Sequence, residues 1–156
     1  MILSLISTDK NVFVGVTNGT EILVSANDLF SYISPDFKNW GCDKVERKTS
    51  EVMVDVYEQI EDATYPEIFG SVNENLDRLV MTTPQIKYFV ANLAKNYLLN
   101  AEWTCFRFLF KVNNELFVAD ARIHSDSNRD LRVTRFLDGS IRHAKHHHRI
   151  VVPQFK

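Results

Sequence analysis

The segment from Trp103 to His124 constrains the fold more than any other part of the chain. Two apolar-rich runs flank Asn113-Asn114, a dipeptide able to take the positive φ angles of a two-residue hairpin turn. That turn determines a register. Val112 faces Glu115, Phe110 faces Phe117, Phe108 faces Ala119, Phe106 faces Ala121 and Thr104 faces Ile123. The alternate positions place Lys111 opposite Leu116, Leu109 opposite Val118, Arg107 opposite Asp120, Cys105 opposite Arg122 and Trp103 opposite His124. The first set is aromatic and apolar and is assigned to the core. The second is mixed and pairs an arginine with an aspartate, and a slip of one residue would scramble both faces.

Around this hairpin, Ile2 to Ile6 and Val12 to Val16 read as strands, with Asn18-Gly19 turning the chain back along Glu21 to Val24. Ser25 is expected to cap a short helix from Ala26 to Ile33, ahead of Pro35 and a loop over residues 36–50. Val52, Val54 and Val56 alternate as in a strand. Ser71 with Glu74 makes a capping box for a helix over about 71–80. Thr83 and Pro84 then launch a second helix over about 84–99, with Ile86, Phe89, Val90, Leu93 and Tyr97 on one stripe. Leu131 to Leu137 continues the C-terminal sheet, Asp138-Gly139-Ser140 turns, and Arg149 to Val152 forms the last strand. The expected fold class is α+β within one globular domain of residues 1–156. It comprises an antiparallel sheet built from N-terminal and C-terminal hairpins or meanders, with two consecutive helices packed on one face.

Composition excludes several functional classes. At 156 residues and 45% hydrophobic, with 11 Phe, 5 Tyr and 2 Trp, the chain is too apolar for a disordered polar segment. No apolar run approaches the roughly 18 residues of a membrane-spanning helix, and the apolar N-terminus meets Asp9 and Lys10 too soon for a signal-peptide core. Cys42 and Cys105 belong to no Cys-x-x-Cys pair and read as buried thiols of a reducing compartment, which makes a cytoplasmic location the expectation. Gly-rich phosphate loops, dinucleotide fingerprints, Gly-x-Ser-x-Gly elbows and His-Glu-x-x-His are absent from the sequence. Cys105, placed near His124, Arg107 and Arg122, could be an activated thiol, but a mid-strand cysteine is more commonly a small core residue. A solvated acidic edge accounts for Glu58, Glu61 and Asp62.

Charge is distributed unevenly. Residues 1–100 carry 8 basic and 14 acidic side chains, and residues 101–156 carry 10 and 6, so a net of −6 and a net of +4 make the overall −2. The basic residues cluster late, and Arg132, Arg142, Lys145 and Arg149 flank a run of histidines. On the mixed hairpin face, Trp103, Arg107, Arg122 and His124 lie together, an arrangement that suits stacking and anion contacts, although a cross-strand ion pair beside a half-buried Trp explains the same residues. His143, His146 and His148 are candidate ligands for zinc or another divalent metal if a carboxylate approaches, but the adjacent cations oppose a metal ion there. These features lead to a non-catalytic regulator or inhibitor type of interaction module. It needs no cofactor and no membrane, and it binds a protein or nucleic acid with an acidic surface through the basic, histidine-rich C-terminal region. The alternative is a metal-dependent enzyme, for example a phosphodiester hydrolase, using the His143/His146/His148 cluster.

Overall fold

The computed structural model describes residues 1–8, 12–21, 23, 26 and 28–154. Its centre is the hairpin of β5 (Trp103–Val112) and β6 (Glu115–His124). Asn113 and Asn114 both adopt left-handed φ angles, 51° and 64°, and all ten cross-strand pairs fall in the register read from the turn. The remaining strands are β1 (Leu3–Leu5), β2 (Val12–Val14), β3 (Tyr32–Ile33), β4 (Val52–Gln59), β7 (Arg129–Arg135) and β8 (Arg149–Pro153). They line up as β1-β4-β8-β5-β6-β7-β3, with β2 sharing the outer edge of β4 with β1. This overturns the antiparallel sheet expected from the sequence. β8 runs parallel to β5 and inserts between it and β4, and β3 runs parallel to β7, so the eight-stranded sheet is mixed.

The expected packing of two helices on one face is also corrected. Among the described residues three α-helices form, α1 (Asp36–Asn39), α2 (Tyr65–Gly70) and α3 (Thr83–Asn92), and they cover both faces. On one face, Phe89 of α3 packs against Phe106 and Phe108, and Phe37 of α1 stacks on Phe110. On the other, Tyr65, Ile68 and Phe69 of α2 pack with Leu109, Val118, Ile150 and Val152. Leu109 and Val118 lie on the hairpin face that looked mixed, yet both are fully buried.

Local chemistry explains the displaced helices. Residues 71–80 form only a single 3-10 turn, Leu76–Leu79, because Ser71 ends the preceding helix, its N–H donating to the Glu67 carbonyl. That helix starts at a stronger signal: the Thr64 hydroxyl accepts from Glu67 N, the Glu67 carboxylate accepts from Thr64 N, and Pro66 occupies the first turn. α3 is capped by Thr82 and Gln85, one residue before the expected Thr83, whose N–H and hydroxyl both donate to Glu46. It ends at Asn92 and passes into a 3-10 turn, Ala94–Tyr97. Among the described residues of the helix expected over 26–33 none is helical, and Tyr32 and Ile33 instead pair with Asp130 and Leu131. Its expected cap Ser25, like Ile22 and Val24 of the return strand, lies outside the described residues. Gly19 takes the left-handed φ of 81°, but its carbonyl accepts from Glu46 N and Thr17 bridges Thr49, so the chain there meets residues 46–49 instead. The loop expected over 36–50 contains α1. No helix among the described residues is long and apolar enough to cross a membrane.

Burial of both hairpin faces has a direct test. Leu109→Ala should lower the unfolding free energy in urea by about 2–5 kcal/mol, the range for a leucine truncated in a closed core. A loss of a few tenths would mean that α2 does not cover this face.

Candidate functional site

α2 covers only part of its sheet face. Beyond Leu109 and Val118 the same face continues as Arg107 and Cys105 on β5 and Asp120 and Arg122 on β6, and there the packing is charged. Asp120 serves several neighbours. Its Oδ2 lies 3.8 Å from Arg107 Nε and 3.7 Å from Arg122 Nη2, while the Cys105 thiol donates to its Oδ1. Arg107 and Asp120 are buried. The Tyr65 ring of α2 closes this group, with the Arg107 guanidinium carbon 5.3 Å and that of Arg142 4.2 Å from its centre. Arg142 also approaches Asp138 at 3.7 Å.

The histidines arrive beside this group through a turn rather than a strand. Ala144–His146 forms a 3-10 turn held by Asp62, whose Oδ1 accepts from Ala144 N at 2.8 Å. His147 then takes a left-handed φ of 51°, which redirects the chain into β8. His146 and His148 are thereby brought to a ring separation of 5.4 Å, and both lie within 6.3 Å of the Trp103 ring. The Arg122 guanidinium sits over Trp103 at 4.9 Å. Between these groups opens a cleft of about 180 Å³, lined by Leu99, Ala101, Glu102, Trp103 and Cys105 on one side and Lys145 to His148 on the other.

The electrostatics follow from this crowding. Burial, reinforced by Arg107, His146, Arg122 and Arg142, drives the His148 imidazole down from 6.5 to about 3, so it is neutral near pH 7. Burial pushes the Tyr65 phenol up to about 12. Burial first, and then the Asp120 charge, hold the Cys105 thiol well above the usual range, contrary to the lowering expected from nearby arginines. Neither Tyr65 nor Cys105 is therefore an ionised nucleophile at neutral pH. Several donors remain without a hydrogen bond although buried: Nε and Nη1 of Arg107, Nε of Arg122, and Nε and Nη2 of Arg142. His148 Nδ1 is in the same position. Such groups are costly to bury unless something fills them, and positively charged donors select an anion.

Not every residue expected in the site belongs to it. Trp103, Lys145, His146 and His148 line the cleft, Arg122 stacks on Trp103 beside it, and Arg107 and Arg142 lie around Tyr65. Arg149 lies on the opposite face, buried, donating to Glu58 at 2.8 Å and to the Tyr97 carbonyl at 3.0 Å. His124 pairs with Asp130 at 3.4 Å, and Arg132 stacks on Tyr32 at the sheet edge. His143 pairs with Asp62, apart from the other two candidate metal ligands. Among the described residues no three His, Cys, Asp or Glu side chains are placed to share a metal ion. The sequence reading missed Tyr65, Leu99, Ala101, Glu102 and His147 as site residues. Only Tyr65 had a usable signal, the Thr64-Tyr65-Pro66-Glu67 capping box that starts its helix. Comparison of the chain with protein-family models, with curated proteins and with solved structures finds no match.

His148 gives this region a pH signature. Its folded-state value lies below the 6.5 of an unfolded imidazole, so the unfolded chain takes up the proton first as pH falls. The resulting stability is present above about pH 6.5 and is lost progressively down to about pH 3. His148→Gln should flatten the fall of the urea midpoint between pH 6.5 and 4.5 relative to the unsubstituted protein. Equal slopes would show that His148 does not titrate abnormally.

Proposed function

We propose that the protein is a small, non-catalytic interaction module that binds an acidic partner protein through the basic, histidine-rich face around Trp103, Arg122 and Lys145. The observation that carries this reading is the imbalance behind the cleft, where Arg107 and Arg122 share the single carboxylate of Asp120 while guanidinium N–H groups stay unpartnered. A surplus of partly buried positive charge attracts an anion before contact and rewards it on arrival. The protonated Tyr65 and Cys105 support binding rather than nucleophilic chemistry. Two free, buried cysteines fit a cytoplasmic module.

Protein is favoured over nucleic acid as the partner. The chain carries a net charge of −2, and its first hundred residues are acidic. A duplex presents a negative charge about every 1.7 Å and favours long basic tracks over a single cationic cleft. The metal-dependent alternative draws no support from this arrangement, because His143 pairs with Asp62, away from His146 and His148.

A titration of the ¹⁵N-labelled protein with hexaglutamate, and with a DNA duplex of matched charge, tests the proposal. Hexaglutamate should shift the amides of Trp103, Arg122 and residues 144–148. Lys145→Gln, at an exposed position, should weaken it about tenfold, the equivalent of 1.4 kcal/mol, with little change in thermal unfolding. An unchanged affinity, or tighter binding of the duplex, would overturn it.

A further inference from the structure

The cleft itself is too small for a polymer. At about 180 Å³ it is comparable to a cavity of about 150 Å³ that accepts a single benzene. Its walls are of two kinds. Leu99, Ala101 and the Trp103 ring supply apolar surface, and Lys145 stands exposed at the opening. His146, His147 and the 4% exposed His148 add imidazoles to the lining. Glu102 is the only carboxylate among the described residues lining it.

From these features we infer that the cleft is a binding site for a small aromatic carboxylate, its ring against the Leu99, Ala101 and Trp103 wall and its carboxylate on Lys145 Nζ. The inference rests on the anion-binding reading of this face and adds the ligand class that the cleft accepts. The ring fills the apolar side, where stacking on an aromatic surface is favourable. The Lys145 ammonium, exposed at the cleft, donates to the carboxylate and compensates its charge. Arg122, stacked on Trp103, and Arg107 and Arg142 behind it keep the surrounding potential positive, which offsets Glu102. The same chemistry can arrive free in solution or as an acidic aromatic group carried by the partner.

Calorimetric titration of the full chain with benzoate, benzyl alcohol, inorganic phosphate and hexaglutamate separates these cases. Benzoate should bind with unit stoichiometry, at least about tenfold more tightly than benzyl alcohol, which lacks the charge, or phosphate, which lacks the ring. Lys145→Ala should weaken benzoate about tenfold. Glu102→Gln should strengthen it about threefold by removing the competing carboxylate. Both changes are at exposed positions, so neither depends on a core substitution folding. If hexaglutamate competes with bound benzoate, the partner shares the site. If benzoate binds while hexaglutamate does not bind at all, the small-acid site stands and the macromolecular reading fails. Absence of benzoate binding, equal affinity for phosphate, or indifference to both substitutions overturns the inference.

Discussion

Arg107 and Asp120 face each other on the two central strands, 3.8 Å apart and almost wholly enclosed. Several neighbouring contacts converge on that pair. Taking both charges out of water is expensive, and removing one member of such a pair costs about 3–5 kcal/mol because its partner is left uncompensated. The surrounding elements are arranged to limit this cost: Tyr65 from α2 offers its ring to Arg107, Cys105 donates to the free oxygen of Asp120, and Arg122 approaches the other. What they do not supply is a second carboxylate at that depth. The positive remainder is felt by His148, which stays uncharged, and it opens toward the cleft beside Trp103.

The uneven charge of the sequence resolves into two populations. Arg149 contributes to the +4 of the last 56 residues, yet it is consumed by Glu58 and the Tyr97 carbonyl on the far face. His124 and Arg132 are occupied near the sheet edge by Asp130 and Tyr32. Arg107, Arg122 and Arg142 remain as an underlayer, with Lys145 at the surface. A sum over sequence finds the region, but only tertiary pairing tells a structural arginine from one whose field is free to act on a ligand.

Local chemistry was legible where it dominated. Asn113-Asn114 dictated a two-residue turn, and the alternation on either side carried ten pairs in the right register. The insertion of β8 between β4 and β5 left no such mark, because parallel neighbours are brought together by contacts far apart in sequence and not by a turn. The second core was hidden for a related reason. Leu109 and Val118 share their face with Arg107 and Asp120, so the charges suggested solvent where α2 provides a lid. Ser71 and Glu74 imitated a helix start seven residues after the real one at Thr64. The cleft required Asp62 to hold the 144–146 turn and a left-handed His147 to set His148 facing Trp103, a long-range contact and a strained-region backbone that periodicity does not encode.

On this proposal the partly buried guanidinium surplus beside Asp120 makes the Trp103–His148 cleft a seat for a carboxylate. Anomalous diffraction from crystals soaked in 4-bromobenzoate tests it most directly, because the bromine position is independent of the rest of the density. One strong bromine peak inside the cleft, with the carboxylate directed to Lys145, is the expected result. Bromine found only elsewhere on the surface, with the cleft unoccupied at saturating ligand, would contradict it.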